Sequence, residues 1–208
     1  MELRNSPGDK NVLSVSQVSK HFIPDWATGT KKDRSQGTQQ HQEIEDEAEE
    51  ISEEEMWRRI EDEGGFPEWF VRTEYPYRDN VVLSGLIDFA YFQNGKPELI
   101  IERKYPREKN LDTVYQSEKV QAWTYSFMLD QAGFQTDNLD YVIVKLPRGT
   151  PKERAIELDK VLVQASVQGD LQDRLAGLKD EAPFNLHGRS YSPSHRLQDV
   201  KEAVENVV

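Results

Sequence analysis

The sequence predicts an α/β domain with a mixed central β-sheet flanked by helices. Two runs in the middle of the chain, VVLSGLIDFAYF and PELIIERK, are rich in β-branched and aromatic residues. They are joined at Gln93-Asn94-Gly95-Lys96, a strong hairpin signal. The stretches on either side of this hairpin carry apolar residues at helical spacing instead. The 208 residues suffice for one domain with a real core and barely for two.

The elements follow in chain order. Residues 1–11 read as disordered, and 12–208 as a single domain. VLSVSQVSKHF (12–22) reads as a short helix opened by a serine cap, and ATGTKKDRSQGTQQ (27–40) as a polar loop. EIEDEAEEISEEEMWRRIEDEGG (43–65) reads as a long acidic helix. Ile44, Ala48 and Ile51 share one face, Met56, Trp57 and Ile60 restart it, and Gly64-Gly65 stop it. VRTEYPY enters the first strand and the hairpin supplies two more. Leu111 to Ala132 reads as a helix stopped by Gly133, LDYVIVKLP (139–147) as a buried strand, and 151–180 as helix interrupted near Gly169. Residues 183–193 read as loop and 195–207 as a last helix. Helix, three strands, helix, strand, helices is the order of an α/β sandwich around a mixed sheet, not of an alternating parallel fold.

Composition limits the chemistry. There is no cysteine, so disulfides, iron–sulfur clusters and thiolate zinc sites are excluded. No apolar run approaches the roughly 18 residues of a membrane helix, and MELRNSPGDKNVL lacks the apolar core of a signal peptide. The expected location is therefore cytoplasmic or otherwise intracellular, with no membrane partner. The net charge of −12 is concentrated: Glu43 to Glu63 holds 12 acids and two arginines, leaving −2 on the other 187 residues. Bases gather at Arg103, Lys104, Arg107 and Lys109, and again at Arg148, Lys152 and Arg154. A local basic face for nucleic acid remains open despite the acidic total.

The hairpin carries the chemistry. Side chains two apart on a strand share a face, so Glu102 and Lys104 point the same way with Ile100 behind them. Asp88, on the partner strand, shares its face with Ala90 and Phe92. An odd loop around Asn94-Gly95 places Asp88 opposite Glu102; an even loop does not, unless a bulge intervenes. Two carboxylates at that distance either share a proton or are bridged by a cation. Oxygen ligands suit Mg²⁺ or Mn²⁺, and a cation, a water and a lysine are the parts needed to hydrolyse a phosphodiester. The same spacing also describes a plain strand-end ion pair with Asp88 as a turn residue. On the next helix, Val114, Gln121, Tyr125 and Met128 form a stripe that packs toward the sheet. A glutamine there needs a partner, which a strand-end lysine or a phosphate can supply.

In these pieces the chain resembles the RecB-type branch of the PD-(D/E)XK nuclease superfamily. That branch includes the RecB nuclease domain, exonuclease V and the four-cysteine CRISPR-associated nucleases. G-L-I-D (85–88), E-R-K (102–104) and Q-A-W-T-Y (121–125) match the family's GxxD, ExK and QxxxY in order. R-S-Q-G-T-Q-Q-H-Q-E-I-E (34–45) is similar to its glycine-then-histidine motif, and Glu74 to a commonly acidic position. The likeness spans roughly residues 12–195 and implies a restriction-endonuclease-like core. By the resemblance, Asp88, Glu102, Lys104, Gln121 and Tyr125 are catalytic. His41, Asp88, Glu102 and the Arg103 backbone carbonyl hold Mg²⁺ or Mn²⁺, and Gln121, Tyr125, Lys119 and Arg107 contact substrate. Many relatives hold a 4Fe–4S cluster. Here SVSQVSKHFIPDW has no cysteine, and HGRSYSPSH (187–195) offers only His187, Ser190 and His195 where thiolates would stand.

The expected function is a metal-dependent deoxyribonuclease acting on single-stranded DNA or DNA ends, with contacts mostly to phosphates. A homo-oligomeric ring and a recombination, replication or CRISPR-associated partner are compatible with it. Two rivals remain. One is a catalytically silent DNA-binding or assembly protein that keeps the fold. The other is a structural protein whose acidic helix binds a basic partner.

Overall fold

The computed structural model describes residues 11–20, 51–78, 80–106, 110, 111, 113–180, 185–190 and 197–207. Within them the chain forms strand β1 (Asn11–Ser14), helix α1 (Val15–Lys20), α2 (Glu53–Glu61), β2 (Glu63–Glu74), β3 (Val81–Gln93) and β4 (Lys96–Lys104). Then come α3 (Gln116–Gln131), β5 (Asp140–Lys145), α4 (Lys152–Gln168), α5 (Leu171–Asp180), β6 (Asn185–Ser190) and α6 (Leu197–Val207). The expected class is what the chain adopts: one mixed sheet between helical layers.

The long strand β3 organises the sheet. One edge pairs antiparallel with β2 from Val82 to Gln93. The other edge is shared: β1 runs parallel along Val81 to Ser84, and β4 runs antiparallel along Phe89 to Gln93. The C-terminal ends of β1 and β4 therefore meet across Gly85 to Asp88, where neither pairs with β3. Parallel β5 continues the sheet beyond β4, and antiparallel β6 closes it. Crevices at strand C-termini where chain direction reverses are where open α/β sheets bind ligands.

Two cores lie on the two faces. One holds Ala90, Phe92, Ile100 and Ile143 beneath α1, α2, α3 and α6. The other holds Leu99, Ile101, Val142 and Val144 beneath α4 and α5. Ser52 caps α2 by accepting from the Glu55 amide at 3.2 Å, with acids filling the first turn where the helix dipole favours them. Gly169 ends α4 in the left-handed region, φ 73°, so the interruption expected near it is the joint between α4 and α5.

Five expectations need correction. Residues 11–14 are a strand, not the start of a helix, so the ordered domain includes Asn11. Four residues on a strand that runs straight into a helix leave no turn signal to read. Gly64-Gly65 do not merely stop α2: they open β2, where Gly65 lies flat against the Phe89 ring, 2.6 Å from where a Cβ would stand. Residues 185–190, read as loop, pair with β5; a polar segment at a sheet edge shows no alternation. The helix expected from Leu111 begins only at Gln116. α2 also starts later than a helix running on from 43: Ile51 and Ser52 are not helical, Ser52 is its extended cap (φ −66°, ψ 158°), and it spans only Glu53–Glu61, while residues 43–50 lie outside the described residues.

Candidate functional site

The hairpin loop is even, and a bulge corrects it. Asn94 and Gly95 are the whole loop, both at positive φ (51° and 76°), as a primed two-residue turn requires. Phe92 pairs with Pro97 but Tyr91 pairs with Leu99, so Glu98 is an extra residue in β4. Beyond it Ala90 faces Ile100 and Phe89 faces Ile101. Continuing that register sets Asp88 opposite Glu102.

Asp88 does not simply continue the face of Ala90 and Phe92. Val81, Leu83 and Ile87 share the core of Ala90 and Phe92, so β3 switches face by one residue at Asp88-Phe89. Phe66 and Trp69 show the same switch on β2, with Glu68 between them at φ 50°. At the switch the Asp88 carboxylate takes a ladder position. Its Oδ2 accepts from the Arg103 amide at 2.6 Å.

Glu102 is buried at the end of β4, with Lys104 beside it and a quarter exposed. The Lys104 ammonium donates to Glu102 Oε1 and, at 3.0 Å, to Gln121 Oε1. Gln121 Nε2 donates to the same Glu102 oxygen at 2.5 Å. The other Glu102 oxygen accepts from the Tyr141 hydroxyl at 3.4 Å. Tyr125, one helical turn after Gln121, donates from its hydroxyl to the Leu86 carbonyl at 2.6 Å. Gly85 makes that possible: a Cβ there would stand 2.6 Å from the Tyr125 ring and 2.8 Å from Val15. The glycine and the tyrosine of the two short motifs are thus in contact.

Electrostatics follow from burial. The Glu102 carboxyl is pushed up to about 7 by burial and then by Asp88, against the Lys104 charge and hydrogen bond. Burial opposes the Lys104 ammonium, yet Glu102 and Asp88 outweigh it and the net shift is upward. The Tyr125 hydroxyl is held well above its usual range by burial and by the two acids, so it stays a donor.

The structure therefore brings together Asp88, Glu102, Lys104, Gln121 and Tyr125. Lys119 is half-buried on α3 and its side chain joins none of these bonds. Arg107, His41 and His195 lie outside the described residues, as do the side chains of His187 and Ser190. Glu74 is exposed opposite Val82 at the far end of β2, away from the site.

Four neighbours were not anticipated. Glu68 and Asp159 bind the Arg103 guanidinium from the opposite face. Lys145, the register partner of Lys104, is fully buried against Glu118 on α3, and burial lowers its pKa. One member of each pair had a signal. Asp159 follows Leu158 on the buried stripe of α4, and Lys145 ends a buried strand as Lys104 does.

The donors available to a metal are oxygens: the Asp88 and Glu102 carboxylates and the Arg103 carbonyl. Such a set suits a hard dication, and a dication would relieve the repulsion between the two acids. Among the described residues no group of three His, Asp or Glu side chains gathers as a metal site. Mg²⁺ commonly keeps several waters, so two carboxylates are enough to hold it.

A scan against models of known protein families matches none, and a search of curated proteins finds no relative.

Proposed function

We propose that the chain is a metal-dependent nuclease that hydrolyses phosphodiester bonds in DNA, on single strands or ends. The observation that supports it best is the cluster in which Lys104 and Gln121 grip one oxygen of Glu102 beside Asp88. Asp88 and Glu102 would hold Mg²⁺ or Mn²⁺, which when bound supplies charge to the phosphate and lowers the pKa of water. Lys104 is the one cation of the cluster that reaches solvent, placed to orient the attacking water or to offset phosphate charge. Gln121 fixes the lysine, and Tyr125 fixes the backbone that leads into Asp88. Asp88 and Glu102 differ in setting: Asp88 is anchored by a main-chain amide, while burial and then Asp88 hold the Glu102 carboxyl above the usual carboxylate range.

A second reading has its own support. The Glu102–Lys104–Gln121 network satisfies itself, as in a protein that keeps the fold to bind DNA without cutting it. Incubating the protein with labelled single-stranded DNA and Mn²⁺ separates the two. Cleavage that EDTA and Lys104→Ala both abolish supports the nuclease. Binding without cleavage in any metal supports the silent form, and cleavage surviving both controls rejects the site.

A further inference from the structure

Arg103 sits between the two catalytic positions of its strand, yet its side chain leaves through the opposite face. There it is 1% exposed. Its Nη1 donates to the Asp88 carbonyl at 3.1 Å and to Glu68 at 3.5 Å, and its Nη2 donates to Asp159. Its main-chain amide meanwhile holds the Asp88 carboxylate at 2.6 Å. One residue thus grips Asp88 at both its carbonyl and its carboxylate.

That grip falls where it is needed. At Asp88 strand β3 switches face, one residue beyond its last register pair with β4 (Phe89 with Ile101), and there the Arg103 guanidinium holds the carbonyl while the Arg103 amide holds the carboxylate. A planar fork can bond a carbonyl and a carboxylate at once, which an ammonium cannot reproduce. A buried ion pair with Asp159 adds little net stability, because desolvation offsets its attraction. Its geometric consequence is larger: Asp159, on α4, aims the fork.

We propose that the Arg103 side chain, aimed by Asp159, is a positioning residue that fixes Asp88 for metal binding from the far side of the sheet. The proposal rests on the nuclease reading and deepens it. Arg103 and Asp159 also line a cavity of 720 Å³ between β2, β3 and α4. Changes at Asp159 therefore open onto space and need not strain the core.

The test compares wild type with Arg103→Met/Asp159→Leu, which removes both charges of the pair together. Thermal melting reports folding, calorimetry reports Mn²⁺ affinity without substrate, and kinetics on a single-stranded oligonucleotide give kcat and KM. The double variant should fold but melt below wild type, because buried Glu68 loses its cation, and it should bind Mn²⁺ about tenfold more weakly and lose kcat at unchanged KM. Arg103→Lys keeps a cation beside Glu68 and Asp159, so it should regain part of the melting temperature yet not the Mn²⁺ affinity, which a merely structural role would not produce. A folded double variant with wild-type Mn²⁺ affinity and kcat overturns the positioning role and leaves the nuclease standing. A wild type that neither binds Mn²⁺ nor cleaves overturns both. If the double variant does not fold, Asp159→Asn is the reporter, and unchanged Mn²⁺ affinity in it overturns the proposal.

Discussion

Gly85→Ala is the sharpest test of how the site is built. A Cβ at residue 85 would lie 2.6 Å from Cε1 of Tyr125 and 2.8 Å from Cγ2 of Val15. Neither neighbour can yield easily, since Tyr125 is buried and hydrogen-bonded and Val15 is fully buried. Overpacking of this kind costs about 1–3 kcal/mol. At about 2–4 °C per kcal/mol for a chain of this size, melting should fall by about 2–12 °C. The ring must also move, and the bond from its hydroxyl to the Leu86 carbonyl, 2.6 Å long, should break with it. Tyr125→Phe removes that bond directly, at about 0.5–1.5 kcal/mol. The two substitutions should therefore not add. Once alanine has displaced the ring, removing its hydroxyl takes away nothing further. The double variant should melt close to Gly85→Ala alone, which denaturant unfolding of all four proteins would measure. Additivity within about 0.5 kcal/mol would refute the contact between the two motifs.

Further outcomes are expected. Lys145→Met should destabilise by about 3–5 kcal/mol by leaving buried Glu118 without its ammonium, and Glu118→Gln should recover much of that in the double variant, as read by urea unfolding. Glu102 has a folded pKa raised from 4.5 to about 7, so its neutral form stabilises the fold below pH 4.5 and that contribution fades as pH rises through 7. The metal-free protein should thus lose melting temperature across that window, and Glu102→Gln should flatten the profile. For the same reason Mn²⁺ affinity should rise through about pH 7, with a proton released on binding, as calorimetry in buffers of different ionisation enthalpy would show.

The sequence made the near face of the site readable and hid the far one. Glu102 and Lys104 share a face by strand parity, and Gln121 and Tyr125 share one by helical spacing, so their meeting needs only the packing of one helix on one strand. Arg103, Glu68 and Asp159 need more. Glu68 joins them through a left-handed residue in mid-strand, φ 50°, which no turn residue announces. Asp159 reaches them from a helix on the other layer, 56 residues along the chain from Arg103. The edge strands β1 and β6 were lost for a different reason: their pairing comes from neighbours distant in sequence, while their own composition is polar or short.

The hairpin itself allows a decisive experiment, because strand parity admits no half measures. A two-residue turn without a bulge would pair β3 and β4 one residue out of step with the register seen beyond Tyr91, and every side chain of 99–104 would exchange faces. Arg103 would then point toward α3, and Glu102 and Lys104 toward α4. The bulge at Glu98 is what prevents this. Deleting Glu98 removes the extra residue: Leu99 then follows Pro97 and still faces Tyr91 across a regular two-residue hairpin. Glu102 still stands opposite Asp88, so melting temperature and activity should stay close to wild type. Inserting one glycine after Gly95 in the same variant moves the extra residue into the loop and keeps the same pairing, so both should again be retained. Loss of both in the deletion would mean that the bulge acts through its own residue and local twist and not through parity.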